Sequence, residues 1–144
     1  MSVDQTPKDS PTDWVNSHIQ EYVETGGAKG YEWRGTTILL LTVTGRKSGT
    51  QHRTALIYRE IDGKYVLVAS KGGAPAHPSW YLNLTANPEV TVQIKDEVFT
   101  AKARNATAGE RPGLWRQMAE VWPDYDNYQA RTDREIPVVV LERV

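Results

Sequence analysis

The chain reads first as a helix and then as strands. Over Thr12–Thr25, Trp14, Val15, Ile19, Tyr22 and Val23 recur on one helical side, and Gly26-Gly27 ends the pattern. From Thr36 the pattern becomes that of strands. Thr36–Thr44 is β-branched and Leu-rich, and Arg53–Glu60 and Lys64–Ser70 flank an Asp62-Gly63 hairpin turn. Glu89–Lys95 and Val98–Arg104 alternate across Asp96-Glu97, and Ile136–Glu142 is a last apolar run. Pro78–Ala86 reads as a short helix closed by Asn87-Pro88. Thr107 and Glu110 have capping-box spacing, which predicts a helix running to about Val121. Six strands joined mostly by short turns, with helices at the ends and between hairpins, predict a mainly β, α+β domain, most simply a small antiparallel barrel. No strand–helix–strand alternation of a Rossmann sheet is present. The polar residues 1–11 read as a flexible tail, and 12–144 as one domain.

Charge changes the picture locally. Net charge is −1, yet residues 45–75 carry six bases against two acids. The turn Gly45-Arg46-Lys47-Ser48-Gly49, with Arg53 close behind, sets three cations within eight residues and no acid among them. Such a turn can hold a phosphate or several carboxylates, because arginine offers a planar fork, lysine a point charge and glycine close backbone approach. A solvated hairpin tip is the alternative. The domain as a whole is not basic, so a small anionic ligand is expected rather than nucleic acid.

Composition excludes several chemistries. With no cysteine there is no disulfide, thiol nucleophile or thiolate metal site, so any redox chemistry belongs to a bound cofactor. His18, His52 and His77 are scattered without metal-ligand spacing and are expected to be structural or solvent-facing. No stretch approaches the roughly 18 apolar residues of a membrane span, and no signal-peptide core is present, so the expected location is cytoplasmic. The N-terminal helix is expected to pack on the domain, with peripheral contact on the inner face of the cell membrane as the alternative. Its acids and lack of Lys or Arg speak against that contact. Near the C-terminus, Tyr125 and Tyr128 stand three apart among Asp124, Asp126, Asn127 and Gln129. They are either a packing pair or rings free to cover a pocket, where a tyrosine can stack and donate a proton.

Four segments together carry a family resemblance: Thr44–Gly49 (TGRKSG), Val68–Gly73 (VASKGG), His77–Ile94 and Trp122–Glu142. From about Thr36 onward the chain resembles the deazaflavin-dependent nitroreductases of mycobacteria and related actinobacteria, split β-barrels that bind coenzyme F420. The resemblance implies an oxidoreductase passing a hydride from reduced F420 to a quinone-type acceptor, with nitroaromatic reduction as a side activity. It implies that Arg46, Lys47 and Arg53 bind the coenzyme's phosphate and oligoglutamate tail. Ser70, Lys71, Gly72 and Gly73 would line the coenzyme, Leu56, Ile57 and Tyr58 would underlie its ring, and Trp80 and Asn83 would stand beside it. Tyr125, Tyr128 and Ser70 would be the catalytic residues. Trp122 stands where the family carries a further tyrosine, and Gln51-His52 where a proline is frequent, so the acceptor pocket is expected to differ more than the coenzyme site. An FMN-dependent split barrel and a non-catalytic F420 carrier are the competing readings.

Overall fold

The computed structural model describes residues 8–9 and 13–144. In chain order the elements are β1 (Lys8–Asp9), α1 (Asp13–Thr25), β2 (Glu32–Trp33), β3 (Thr36–Thr44), β4 (Gln51–Ile61), β5 (Lys64–Val68), a 3-10 turn (Lys71–Gly73), α2 (Ser79–Ala86), β6 (Glu89–Ile94), β7 (Glu97–Asn105), α3 (Arg111–Val121), α4 (Asp124–Ala130) and β8 (Val138–Arg143). Strand β3 pairs with both β4 and β6, which closes the antiparallel ring β3–β4–β5–β8–β7–β6. This is the expected six-stranded split barrel with peripheral helices. The two-residue β2 pairs antiparallel with the start of β3, and β1 runs parallel to β4 with Asp9 opposite Arg53. The remainder of the predicted tail lies outside the described residues.

Why β3 is β-branched and Leu-rich, with no charged position, follows from its two buried faces. Leu39, Leu41 and Val43 point into the barrel with Leu67, Val92, Phe99, Val139 and Leu141. Ile38 and Leu40 point outward beneath Ile19 and Tyr22 of α1. A third cluster lies outside β5, where Val66 and Val68 meet Met118 of α3, Tyr125 of α4, Ile136 and Val138. The helices therefore cover two patches of the barrel wall and leave a gap between them.

Several boundaries differ from the sequence expectation for local reasons. The second hairpin turns at Lys95-Asp96, one residue early, with Lys95 left-handed at φ 56°. Asp62-Gly63 does form the turn its dipeptide predicts, with φ 53° and 76°. The capping box is made: the Thr107 N–H donates to Glu110 Oε1 at 2.8 Å, and the Glu110 N–H donates to Thr107 Oγ1 at 3.2 Å. It closes a turn that precedes the helix, which itself begins at Arg111. On α1 only Ile19 and Tyr22 of the predicted apolar face are fully buried, while Trp14 and Val23 are exposed.

Tyr22 ties α1 to the barrel. Its hydroxyl donates to the Ile38 carbonyl at 3.0 Å and accepts the Lys95 N–H at 2.7 Å. Tyr22→Phe leaves that part-buried N–H without its partner. The expected loss is about 1–3 kcal/mol of stability, read as a lower urea midpoint with an unchanged slope. An unchanged midpoint would remove the anchoring role.

Candidate functional site

The basic turn is built to project its side chains. The Gly45 N–H donates to the Thr50 carbonyl at 2.7 Å, the Gly49 N–H donates back to the Gly45 carbonyl at 3.0 Å, and Gly49 takes φ +73°. That tight base leaves Arg46, Lys47 and Ser48 exposed at the rim of a cleft of about 430 Å³. The rest of its wall includes Asp9, His52, Arg53, Thr54, Ser79, Trp80 and Asn83. Buried Asn83 of α2 orients the turn: its Oδ1 accepts from the Arg46 backbone N–H at 3.1 Å and from Arg46 Nη1 at 2.7 Å. Lys47 has no partner among the described residues. Arg53 is engaged, with Nε 2.7 Å and Nη2 3.2 Å from the two carboxylate oxygens of Asp9. The cleft thus carries three cations against one carboxylate.

A second cleft, of about 300 Å³, opens in the gap between the two helix-covered patches. One wall is Ile38, Ala55, Leu56 and Ile57; another is Val68, Ser70 and Gly72; Trp14, His18, Trp33, Trp122, Tyr125 and Tyr128 complete it. The two clefts share no lining residue; they border neighbouring positions of β4, Thr54 in the first and Ala55 in the second. Trp14, Trp33 and Trp122 form a continuous stack, with ring centroids 6.1 Å and 5.5 Å apart and interplanar angles of 14° and 28°. Flat aromatic faces beside an apolar floor suit a planar ring system.

The two tyrosines bring polar chemistry to this apolar cleft. Tyr125 is buried, and its hydroxyl makes no hydrogen bond among the described residues. The Tyr128 oxygen accepts the Trp122 indole N–H at 3.3 Å, so its own proton is left for another acceptor. Burial pushes the Tyr125 phenol well above its ordinary value, with the nearby Tyr128 adding to the effect. The group therefore stays protonated at neutral pH. Burial raises Tyr22 and Tyr58 as well. Because the unfolded chain releases these protons first, their contribution to stability is intact below the ordinary phenol value of 10.0 and is lost as pH rises past it. Unfolding free energy is expected to fall above pH 10 by about 1.4 kcal/mol per pH unit for each such tyrosine. Flat stability from pH 9 to 12 would contradict the raised values.

Most of the expected site residues gather at the two clefts. Arg46, Lys47, Arg53, Trp80 and Asn83 line the first; Leu56, Ile57, Ser70, Gly72, Tyr125 and Tyr128 line the second. Tyr58, Lys71 and Gly73 line neither. Tyr58 is buried in the barrel interior, its hydroxyl 2.9 Å from that of Tyr31. Gly73 serves packing: a Cβ there would come within 2.5 Å of the Tyr128 carbonyl oxygen. Asp9, Trp14, His18 and Trp33 line the clefts without having been singled out as site residues, and Trp122, expected to alter the acceptor pocket, lines the second. His18 is fixed by a 2.6 Å hydrogen bond between Nε2 and the Gly30 carbonyl.

Comparison with known proteins gives this geometry a family. The sequence profile of the F420H(2)-dependent quinone reductases matches residues 14–143. An F420H(2)-dependent quinone reductase of Mycobacterium tuberculosis is 41% identical over 130 residues, covering 88% of this chain and 87% of the relative. A solved F420-H2 dependent reductase is 47% identical with a TM-score of 0.68, covering 76% of this chain and 95% of its own. A further solved chain, described as a domain-swapped dimer, is 44% identical with a TM-score of 0.70, covering 92% of this chain and 100% of its own. With the match running through the basic turn, both cleft walls and the tyrosine pair, the chain belongs to the F420H(2)-dependent quinone reductase family.

Proposed function

We propose that the protein is an F420H2-dependent oxidoreductase that moves a hydride from reduced deazaflavin to a quinone-type acceptor, with nitroaromatic compounds as side substrates. The observation that carries this reading is the presence of two clefts bordered by neighbouring positions of β4: a cationic one suited to an anionic tail, and an apolar, aromatic one suited to a ring. The donor set fits such a coenzyme, since Arg46 and Lys47 offer charge-assisted contacts to phosphate or carboxylate and Ser48 adds a hydroxyl. The bound deazaflavin supplies two electrons together as a hydride, because its ring has carbon where a flavin has N5. The protein's own share is orientation, water exclusion and proton delivery. Leu56 and Ile57 form the floor, Ser70 and Gly72 the side, and the tryptophan stack the outer wall. A quinone that has accepted a hydride needs one more proton to become a hydroquinone. Tyr125 and Tyr128 line the cleft, and a tyrosine hydroxyl is the group that would provide it.

Titration of the purified protein with F420 and with FMN tests the reading, together with oxidation of reduced F420 by menadione. Strong preference for F420 and steady turnover are expected. Preference for FMN would support the flavin alternative, and F420 binding without turnover the carrier.

Docking of α1 on an anionic membrane is not part of this reading. Exposed Glu21 and Glu24 and the absence of Lys or Arg in the helix oppose it. Exposed Trp14 has an internal explanation in its stack on Trp33. Among the described residues no helix is long and apolar enough to cross a membrane.

Asp9 leads to a further expectation. Its carboxylate already neutralises Arg53, so Arg53→Ala should weaken F420 binding less than loss of Arg46 or Lys47. Asp9→Asn should tighten F420 binding, by up to about fivefold if the partly exposed pair is worth up to about 1 kcal/mol. Weaker binding by Asp9→Asn would show instead that Asp9 orients Arg53 for the ligand.

A further inference from the structure

The segment between β5 and α2 holds an unusual conformation. Lys71, Gly72 and Gly73 are left-handed in succession, with φ of 45°, 63° and 81°. For Lys71 that is a disfavoured state, and such states persist only where surrounding contacts over-determine them. Gly73 also presses against the backbone of Tyr128, leaving no room for a Cβ.

One side chain holds both ends of this loop. Arg134 lies between α4 and β8, more than fifty residues away in sequence. Its Nη2 donates to the Ser70 carbonyl at 2.6 Å and its Nη1 to the Ala69 carbonyl at 3.3 Å, just before the left-handed run. Its Nε donates to the Ala74 carbonyl at 2.7 Å, just after it. Nη1 also lies 3.0 Å from His77 Nδ1. Burial and the guanidinium charge both push the His77 value down, so the ring is neutral and its Nδ1 accepts. No carboxylate pairs with Arg134 among the described residues. A cation without an acidic partner, its fork spent on backbone carbonyls, fixes a backbone shape. A lysine cannot reproduce that arrangement, since it lacks the planar fork.

We propose that Arg134 is a positioning residue that clamps the strained Ser70–Gly73 loop against α4, and so fixes the spacing between the Ser70–Gly72 wall of the apolar cleft and its Tyr125–Tyr128 wall. The inference rests on the functional reading above in one respect: those walls are the ones that face the coenzyme ring and the acceptor. The geometry adds a residue that lines neither cleft yet, through the Ser70 carbonyl, sets how far apart those walls stand. Gly73 is its counterpart, since its bare Cα lets the loop close on Tyr128.

Amide hydrogen exchange on the protein without coenzyme tests the clamp, with Arg134→Lys as the variant. The Gly73 and Ala74 amides, which donate to the Ser70 and Lys71 carbonyls at 2.9 and 3.1 Å, are expected to exchange at least tenfold faster. Barrel amides such as those of Leu39 and Val139 should be unchanged. With reduced F420 and menadione, kcat should fall at least tenfold while the acceptor KM moves less than threefold. Gly73→Ala should reproduce the kcat loss through the opposite side of the same contact. Unchanged loop exchange, exchange raised equally throughout the barrel, or failure of Arg134→Lys to fold would each overturn the proposal. The last two would make Arg134 a support of the whole fold. Absence of F420 binding by the unaltered protein would refute the functional reading while leaving the exchange result to decide the clamp.

Discussion

Replacing Arg46 and Lys47 together with alanine is expected to weaken F420 binding by about a hundredfold or more while leaving the barrel intact. Both side chains project from a turn whose shape is kept by backbone hydrogen bonds among Gly45, Gly49 and Thr50. Neither contributes to a buried cluster. Surface changes of this kind usually alter stability by no more than about 0.5 kcal/mol, so the thermal midpoint should barely move. A charge-assisted contact is worth roughly 1.5–3 kcal/mol when desolvated, and partial exposure reduces that. Two contacts retaining about 1.4 kcal/mol each correspond to the hundredfold figure. Affinity within twofold of the unaltered protein would sink the assignment of this cleft to the coenzyme. Added salt should weaken binding to the unaltered protein and weaken it less in the double variant, because fewer exposed charges remain to be screened.

The second large effect is expected at the tyrosines. Tyr125→Phe and Tyr128→Phe should each leave F420 affinity nearly unchanged and lower turnover with quinone or nitroaromatic acceptors. The loss should reach roughly 10²–10⁴-fold for the hydroxyl that donates the proton. Phenylalanine keeps the ring, so stacking is preserved and only the hydroxyl is tested. Tyr128→Phe also strips the Trp122 indole N–H of its partner, and Trp122→Phe serves as the control for that side effect. Tyr125 makes no such bond, so its variant is the cleaner of the two. Burial holds its phenol protonated, so the rate should show no loss from Tyr125 ionisation below pH 10. If both variants turned over at the unaltered rate, the rings would be packing or covering residues only.

What could be read in the sequence was local, and what could not was distant. The strands announced themselves through runs such as Thr36–Thr44, and Asp62-Gly63 marked its hairpin because both positions require left-handed backbone. The basic turn was legible because its charges are contiguous, and the tyrosine pair because three-residue spacing shares a helical face. Side-chain direction on β4 was not legible. Leu56 and Tyr58 join the barrel-side cluster while Ala55 and Ile57 face α1, and a strand half-buried on both sides shows no alternation to reveal this. The remaining omissions depend on partners far along the chain. Arg53 finds Asp9 across 44 positions, Arg134 finds Ser70 across 64, and Trp33 meets Trp122 from the other end of the fold. Nothing in the neighbourhood of Asp9 or Arg134 distinguishes either residue from an ordinary surface charge.

The Asp9–Arg53 pair has a consequence for which solutes the cationic cleft retains. A carboxylate already seated on one guanidinium sets an internal competitor that any incoming ion must outbid or bypass. Chloride or acetate brings a single charge and gains little from doing so. A ligand with several linked negative groups can leave Asp9 in place and still engage Arg46 and Lys47 together, where its tethered charges act at high effective concentration. At constant ionic strength, F420 affinity should therefore be indifferent to exchanging chloride for acetate and should fall when pyrophosphate is added. Held this way, the cleft discriminates by the number of connected charges, and the abundant monovalent anions of a cell do not clog it.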